Sequence, residues 1–231
     1  MSRALKIIAL VVSFLLIGAA HPALGQSADP NVLITWRAND SYIPPGYPDK
    51  ALPNQSSPIT ASIEVISSSG QIVDLSGQNI YWYIGQTLLG GGVGQQDITF
   101  YPFDGSSGDI VLEVDLPDYP SGSMIQTVDI PLVQPKAVIQ SPPPGNQLIT
   151  SQVNLLAAPY FFNATSTMPF TFDWSVNGTP VTNTQNPESL QVSLGPNTPS
   201  NYAVNVTLSI GNISDGTQAS ASTDLIYQPQ P

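Results

Sequence analysis

From residue 30 onwards, the chain is built of short segments in which apolar and polar residues alternate. Each segment is bounded by Gly, Pro, Asn or Asp, and a period of two between such residues is typical of β-strands joined by turns. No stretch beyond the N-terminal segment has a helical period. The pattern therefore predicts an all-β fold. The clearest examples are Val32-Ile34-Trp36, Ala61-Ile63-Val65, Ile110-Leu112-Val114-Leu116 and Val204-Val206-Leu208.

Two tryptophan segments indicate an internal repeat, because Trp82 and Trp174 lie 92 residues apart. At the same offset, an alternating strand precedes each tryptophan and another follows it. One constant offset across three strands predicts that a single structural unit occurs twice. The matched positions are Ile63 and Val65 with Leu155 and Ala157, then Ile110, Leu112, Val114 and Leu116 with Tyr202, Val204, Val206 and Leu208.

The spacing of these strands predicts that the repeated unit is an immunoglobulin-like β-sandwich. In that fold a core tryptophan on the third strand packs between two antiparallel sheets, within about 100 residues. We therefore expect Trp82 and Trp174 in two cores, with Ile63 and Leu112 at the positions that a disulfide bridges in antibodies. Prolines 131 and 135 mark the boundary, which predicts domains at residues 26–135 and 136–231.

The N-terminal segment is typical of a secretory signal peptide. Arg3 and Lys6 precede an apolar run of 14 residues, 7–20, and a pattern of small residues ends at Gly25. A membrane-spanning helix needs about 20 apolar residues, so we predict cleavage after residue 25. If the segment stayed uncleaved, it would be the chain's only contact with a membrane.

Removal of residues 1–25 makes the remaining chain more acidic and takes away its only histidine. Three cations would then face 16 acidic residues, a formal net charge of −13, with neither His nor Cys. This balance disfavours nucleic acids, whose phosphates need Lys and Arg. It also excludes Ser-His-Asp and Cys-His catalysis, the usual zinc sites and disulfides. We predict an exported bacterial protein that is not an enzyme and uses no cofactor or metal.

Several phrases resemble bacterial immunoglobulin-like domains of the polycystic-kidney-disease (PKD) type. They are Lys136-Ala-Val-Ile-Gln-Ser-Pro, Val153-Asn-Leu-Leu-Ala-Ala and Phe172-Asp-Trp-Ser-Val-Asn-Gly. The whole chain after residue 25 is similar to uncharacterised exported two-domain proteins of small-genome, candidate-phylum bacteria. The resemblance implies fold and export, and it brings no catalytic residues. The Gly-Asp-Gly expected after the third-strand tryptophan is replaced by Asn177-Gly178-Thr179.

The segment 37–53 is the first candidate binding site. It contains Arg37, Tyr42, Tyr47 and Lys50, together with four prolines. Long loops on a rigid sandwich often carry binding residues, so these side chains could contact an acidic or sugar-rich partner. In the alternative, both cations pair with Asp40 and Asp49, and the prolines stiffen an arm that lies across the sandwich.

Aromatic residues form the second candidate site. Tyr81 and Tyr83 flank Trp82 and should point away from the core, where they could stack on sugars. Residues 160–162, Tyr-Phe-Phe, form another aromatic group. Either group could instead cover a sheet or a domain interface.

Three further motifs have weaker interpretations. Asp104 and Asp109 bound the densest acidic stretch, which could hold calcium but more simply predicts a turn. The run Gly90-Gly91-Gly92-Val93-Gly94 lacks the lysine of a phosphate loop and predicts a glycine-rich hairpin. Sequons for N-glycosylation occur at Asn39, Asn54, Asn163, Asn177, Asn205 and Asn212.

The sequence as a whole predicts a non-catalytic module at the cell surface, in the cell envelope or outside the cell. We expect a structural, adhesive or assembly role through contacts with an envelope or surface protein. The alternative is a module that binds surface polysaccharide through exposed tyrosines.

Overall fold

The computed structural model describes residues 30–103, 108–140, 142–181 and 185–229. The predicted signal peptide, residues 1–25, and Asp104 lie outside the described residues. The described chain forms fifteen β-strands and one 3-10 turn, Pro144–Asn146.

The first seven strands make a sandwich of two antiparallel sheets. One sheet has the order β1 (Asn31–Ala38), β2 (Ile59–Ile66), β5 (Asp97–Phe100). The other has the order β4 (Thr87–Val93), β3 (Asn79–Ile84), β6 (Ile110–Leu116), β7 (Met124–Ile130). Ile63, Trp82 and Leu112, which face inward from the two sheets, are at most 1% exposed. The core therefore lies between the sheets.

The remaining strands repeat this arrangement. One sheet has the order β13 (Ser189–Ser193), β10 (Gln152–Tyr160), β8 (Lys136–Gln140). The other has the order β12 (Thr179–Val181), β11 (Phe170–Val176), β14 (Tyr202–Asn212), β15 (Gln218–Tyr227), β9 (Gln147–Leu148). The short strand β9 runs parallel to β15, whereas the other pairs are antiparallel. Trp174, Val206 and Leu208 lie in this second core.

The prediction of two immunoglobulin-like sandwiches is confirmed. Each unit pairs its first, second and fifth main strands in one sheet, and the third strand carries the buried tryptophan in the other. The indole N–H of Trp82 donates to the carbonyl of Gln95, and that of Trp174 to the carbonyl of Pro187, both at 3.0 Å. Each acceptor follows its tryptophan by thirteen residues, so the repeat extends to this polar contact.

The constant offset of 92 does not hold for every strand. Trp82 lies opposite Val114 and Trp174 lies opposite Leu208, which places the facing residues 94 apart. A uniform offset equates Tyr202 with Ile110, but Tyr202 is 41% exposed and Ile110 is buried. A shift by two residues keeps every side chain on the same face of its strand. For that reason the alternating pattern could not reveal the shift.

The glycine run belongs to a hairpin, as predicted, and lies in its second strand. Gly90, Gly91 and Gly92 belong to β4, and the turn between β3 and β4 contains Gly85 at φ 56°. A Cβ atom on Gly91 would lie 2.5 Å from the carbonyl oxygen of Ile80 and from the ring of Tyr81. Glycine at this position is therefore required by the close approach of β3.

Candidate functional site

The connection between β1 and β2 is long and crosses onto the second sandwich. We call residues 39–58 the crossing loop. The N–H of Asn39 donates to the carbonyl of Pro58 at 2.9 Å, which closes the loop at its base. Arg37 lies outside this loop, near the end of β1, where its side chain is exposed.

The crossing loop pairs with the second sandwich through its backbone. The N–H of Tyr42 donates to the carbonyl of Phe162 at 2.8 Å, and the N–H of Phe161 donates to the carbonyl of Tyr42 at 2.6 Å. Ser41 and Asn163 form an antiparallel β-bridge beside them. Part of the first domain thereby adds a short strand to the loop that follows β10.

Aromatic rings also pack together where the crossing loop meets the second sandwich. The ring of Tyr42 meets that of Phe170 edge-on, with centroids 5.4 Å apart. The ring of Tyr47 packs in the same way against Tyr160 at 5.6 Å and Phe161 at 5.9 Å. Such pairs add about 0.5–1.5 kcal/mol each beyond their buried area. Tyr160 and Phe161 therefore cover a domain interface, as one interpretation of this aromatic group predicts, whereas Phe162 is buried in the second core.

Asn54 fixes the crossing loop to the strained residue Phe161. The side chain of Asn54 is 2% exposed; its Nδ2 donates to the carbonyl of Phe161 at 2.5 Å, and its Oδ1 accepts from the N–H of Ser56 at 2.7 Å. Phe161 has φ 59°, a left-handed conformation that is costly for an aromatic residue. Both backbone groups of Phe161 bond to the crossing loop, so the first domain stabilises a strained turn of the second.

The linker between the two sandwiches also bonds to the crossing loop. Residues 131–135 connect β7 to β8, and the N–H of Val133 donates to the carbonyl of Pro53 at 3.0 Å. The two sandwiches are thus held together by the linker, by the loop backbone and by a set of packed rings.

Burial shifts the pKa values of two side chains of the crossing loop. Burial raises the pKa of the Tyr42 hydroxyl, and the negative charge of Glu188 raises it further. Burial lowers the pKa of Lys50. The Lys50 ammonium lies 3.2 Å from the centroid of the Trp36 ring, and a cation over an indole face contributes about 0.5–1 kcal/mol at exposed sites.

The four residues predicted from segment 37–53 therefore do not share one open surface. Tyr42 and Tyr47 are half-buried against the second domain, Lys50 lies on Trp36, and Arg37 projects from β1. The contacts of Tyr42 and Tyr47 agree with an arm that lies across the sandwich, and Lys50 contacts a ring. The pairing of both cations with Asp40 and Asp49 stays a prediction. Binding of a partner by these four residues stays a prediction.

Tyr81 and Tyr83 lie on the outer face of the sheet of β4, β3, β6 and β7, because Trp82 between them points into the core. Tyr81 lies opposite Asp115 of β6, and Tyr83 lies opposite Glu113. We call this outer face the tyrosine face. On it, half-buried aromatic rings lie beside carboxylates.

One edge of the tyrosine face is strand β4, which contains no charged residue and no proline. Leu88 and Val93 on this strand are 53% and 67% exposed. Natural sheets usually protect an edge with charges, prolines or a covering segment. The opposite edge, β7, carries Asp129 as well as Ile125, which is 60% exposed.

Clusters of metal-ligating side chains and long apolar helices can be assessed only in the described part of the chain. Within it no group of three or more His, Cys, Asp or Glu side chains comes together. Asp109 is exposed just before β6, but the question of calcium between Asp104 and Asp109 stays open because Asp104 is not described. No helix in the described residues is long and apolar enough to span a membrane.

Two of the six sequons are buried in the folded chain. Asn54 and Asn212 are each 2% exposed, and the Nδ2 of Asn212 donates to the carbonyl of Asn163 at 3.1 Å. A glycan on either nitrogen would displace these contacts.

No protein-family model and no curated protein matches the sequence. Among solved structures, the chain is similar to the Ig1-Ig2 module of Dpr2 in complex with DIP-Theta Ig1-Ig3, with 13% identity over 83% of this chain and 100% of that one, at a TM-score of 0.29. The chain is also similar to the N-terminal Ig1-2 module of Drosophila receptor protein tyrosine phosphatase DLAR. The identity is 10%, the match covers 86% of this chain and 98% of that one, and the TM-score is 0.27.

Longer proteins are matched in part. The chain spans about half (47%) of the N-terminal four Ig domains of Dscam1 isoform 8.4, which covers 85% of this chain with 10% identity and a TM-score of 0.31. It spans 21% of dimeric latent PorU from Porphyromonas gingivalis, which covers 89% of this chain with 12% identity and a TM-score of 0.28.

Sequence reasoning missed two features of the domain contact: the buried amide of Asn54 and the left-handed backbone of Phe161. The sequence indicates only a sequon at Asn54. A usable signal is present, since aromatic rings occur both in the long proline-rich loop and at residues 160–162.

Proposed function

We propose that this protein is an exported, non-catalytic module that docks a partner protein of the cell envelope or surface. Export is supported by the N-terminal sequence, and a non-catalytic role by the absence of His and Cys after residue 25. The docking site in this proposal is the β4 edge together with the adjoining tyrosine face.

The observation that carries the proposal is the unprotected edge strand. β4 offers seven residues without charge or proline, and its exposed Leu88 and Val93 can cover the side chains of an added strand. An extended segment of a partner gains main-chain hydrogen bonds along such an edge and specificity from alternate side chains. The partner would therefore present an uncharged, β-prone segment.

The charge of the neighbouring face supports a choice of partner. Glu113 and Asp115 flank the two tyrosines, and the mature chain is strongly acidic. Complementary charge raises the rate of association and disfavours wrong partners. We expect basic side chains in the partner beside the segment that joins β4.

Surface polysaccharide is the second candidate partner. A specific observation favours it: the Tyr81 ring lies across Gly91, where a side chain would collide with it. A ring lying flat on a sheet could stack on a sugar. In that case Tyr81 and Tyr83, rather than the β4 backbone, would carry the affinity.

Retention of residues 26–231 on isolated cell envelopes tests both candidates. Leu88→Lys places a charge on the β4 edge, and Ile125→Lys is the matched control on β7. We expect L88K to lower retention at least tenfold, I125K to leave it unchanged, and protease treatment of the envelopes to abolish it. Loss of retention after polysaccharide removal, with L88K unaffected and Y81A/Y83A impaired, would favour the sugar instead. Equal retention of L88K and wild type on untreated envelopes would overturn docking at β4.

A further inference from the structure

The second sandwich contains a pocket at the end away from the crossing loop. Its volume is 570 Å³, within the range of about 300–1,000 Å³ that is usual for small-ligand sites. The floor is formed by Val176, Val192 and Val204, of which Val192 and Val204 belong to the core. The pocket therefore reaches the hydrophobic interior.

Comparison of the two sandwiches explains why this end is open. Ile59 lies opposite Phe100 in the first sandwich, and Val153 lies opposite Val192 in the second. Phe100 and Val192 each follow the carbonyl that accepts the tryptophan N–H by five residues, so they occupy equivalent positions. Phe100 is 6% exposed and fills its core. The smaller Val192 leaves space for a ligand.

The lining of the pocket contains no charged side chain. All twelve lining residues are neutral, in a chain whose mature form has a net charge of −13. An ionic ligand would find no counter-charge there, so the pocket favours an uncharged one.

Polar groups at the rim are held in fixed positions. Asn177 Oδ1 accepts from the N–H of Asn205 at 2.9 Å, which orients its Nδ2 toward the hydroxyl of Tyr202 at 3.4 Å. The Thr198 hydroxyl donates to the carbonyl of Gly195 at 2.9 Å. Tyr202 is 41% exposed at the rim, and Asn197 adds a second amide.

From this combination we infer that the pocket binds a neutral sugar unit, as a monosaccharide or as the end of a neutral glycan. The valine floor accepts the C–H face of a pyranose ring, and the amides and hydroxyls of the rim bond its hydroxyl groups. An apolar side chain of a protein would fit the floor but would cover the Asn197 amide and the second N–H of the Asn177 amide without giving them partners, which costs free energy. The site is separate from the β4 edge and does not depend on docking there.

Nuclear magnetic resonance of residues 26–231 tests this inference. The probes are glucose, galactose and N-acetylglucosamine, with the β-1,4-linked dimers of glucose and of N-acetylglucosamine. We expect at least one probe to shift the amide signals of Asn177, Thr198 and Tyr202 in a saturable manner. Val192→Phe copies the residue of the first sandwich, so it should keep the fold, fill the pocket and weaken binding at least tenfold. Ile213→Phe adds the same ring at a position of the second sandwich that is 73% exposed and outside the pocket, and is the matched control.

Tyr202→Ala removes the rim ring and decides the question if V192F fails to fold; it too should weaken binding at least tenfold. The inference is overturned if no probe shifts these signals, or if V192F folds and binds as well as wild type. It is also overturned if the pocket takes the neutral apolar dye N-phenyl-1-naphthylamine but none of the sugars.

Discussion

At the residue scale, Asn54 joins parts of the chain that are 107 residues apart in sequence. Its amide satisfies the carbonyl of Phe161, whose left-handed backbone has few other ways to be held. Removing one partner of a buried hydrogen bond costs about 1–3 kcal/mol, because the other is left unsatisfied.

We therefore expect Asn54→Ala to lower the free energy of unfolding by about 2 kcal/mol. Asn39→Ala is the matched control, since the side chain of Asn39 donates to Thr60 at an exposed position of the same loop. Its effect should stay within about 0.5 kcal/mol. Urea denaturation of both variants measures the difference, and equal losses would show that Asn54 holds no more than a surface contact.

Tyr42 makes stability depend on alkaline pH. Its ordinary pKa is 10.0, and burial followed by the charge of Glu188 raises it in the folded chain. The unfolded chain then loses this proton at a lower pH than the folded chain does. The resulting stability is present below about pH 10 and is lost as pH rises through the folded pKa.

Tyr42→Phe removes this ionisation, so the stability of wild type relative to Y42F should fall between about pH 9 and pH 11. Lys50, whose lowered pKa acts in the opposite direction, is present in both proteins and cancels. Urea denaturation at several pH values measures the difference. A difference that stays constant over this range would contradict the assignment.

At the scale of the element, β4 depends on glycine because β3 approaches it closely. Gly91→Ala would place a Cβ atom 2.5 Å from backbone and ring atoms of β3. Overpacking of this kind costs about 1–3 kcal/mol, and we expect a loss near the upper end. Gly77→Ala is the control, because nothing lies within 4 Å of its new Cβ. Thermal unfolding compares them, and a neutral G91A would mean that β4 can move away from β3.

The strands themselves were largely predictable, because alternation with a period of two directly reports which face of a strand is buried. Trp82 and Trp174 could be assigned to cores for the same reason. The register was not predictable, since a shift of two residues leaves the pattern of Ile110–Leu116 unchanged. The contacts of the crossing loop could not be predicted from the alternating pattern, because they involve backbone groups and single side chains such as Asn54, which have no period.

At the scale of the whole molecule, the crossing loop and the linker couple the two sandwiches. Interfaces between domains otherwise allow relative motion. Here backbone hydrogen bonds at Tyr42 and packed rings at Tyr47 add to a linker of five residues. We expect the pair to unfold as one unit.

Calorimetry of the double variant Tyr47→Ala/Asn54→Ala tests this coupling. Wild type should unfold in a single transition, and the variant in two, because each sandwich keeps its own core. N39A should behave as wild type. Two transitions already in wild type, or one in the double variant, would contradict the coupling.

The position of the crossing loop also has a consequence for biosynthesis. The strands of the first sandwich end at Ile130, whereas Phe161, to which the crossing loop bonds, lies 31 residues further along the chain. Until the turn at Phe161 has formed, Tyr42 and Tyr47 have no surface to cover them. A chain truncated before residue 160 would keep the strands of its first domain but expose both rings to neighbouring chains.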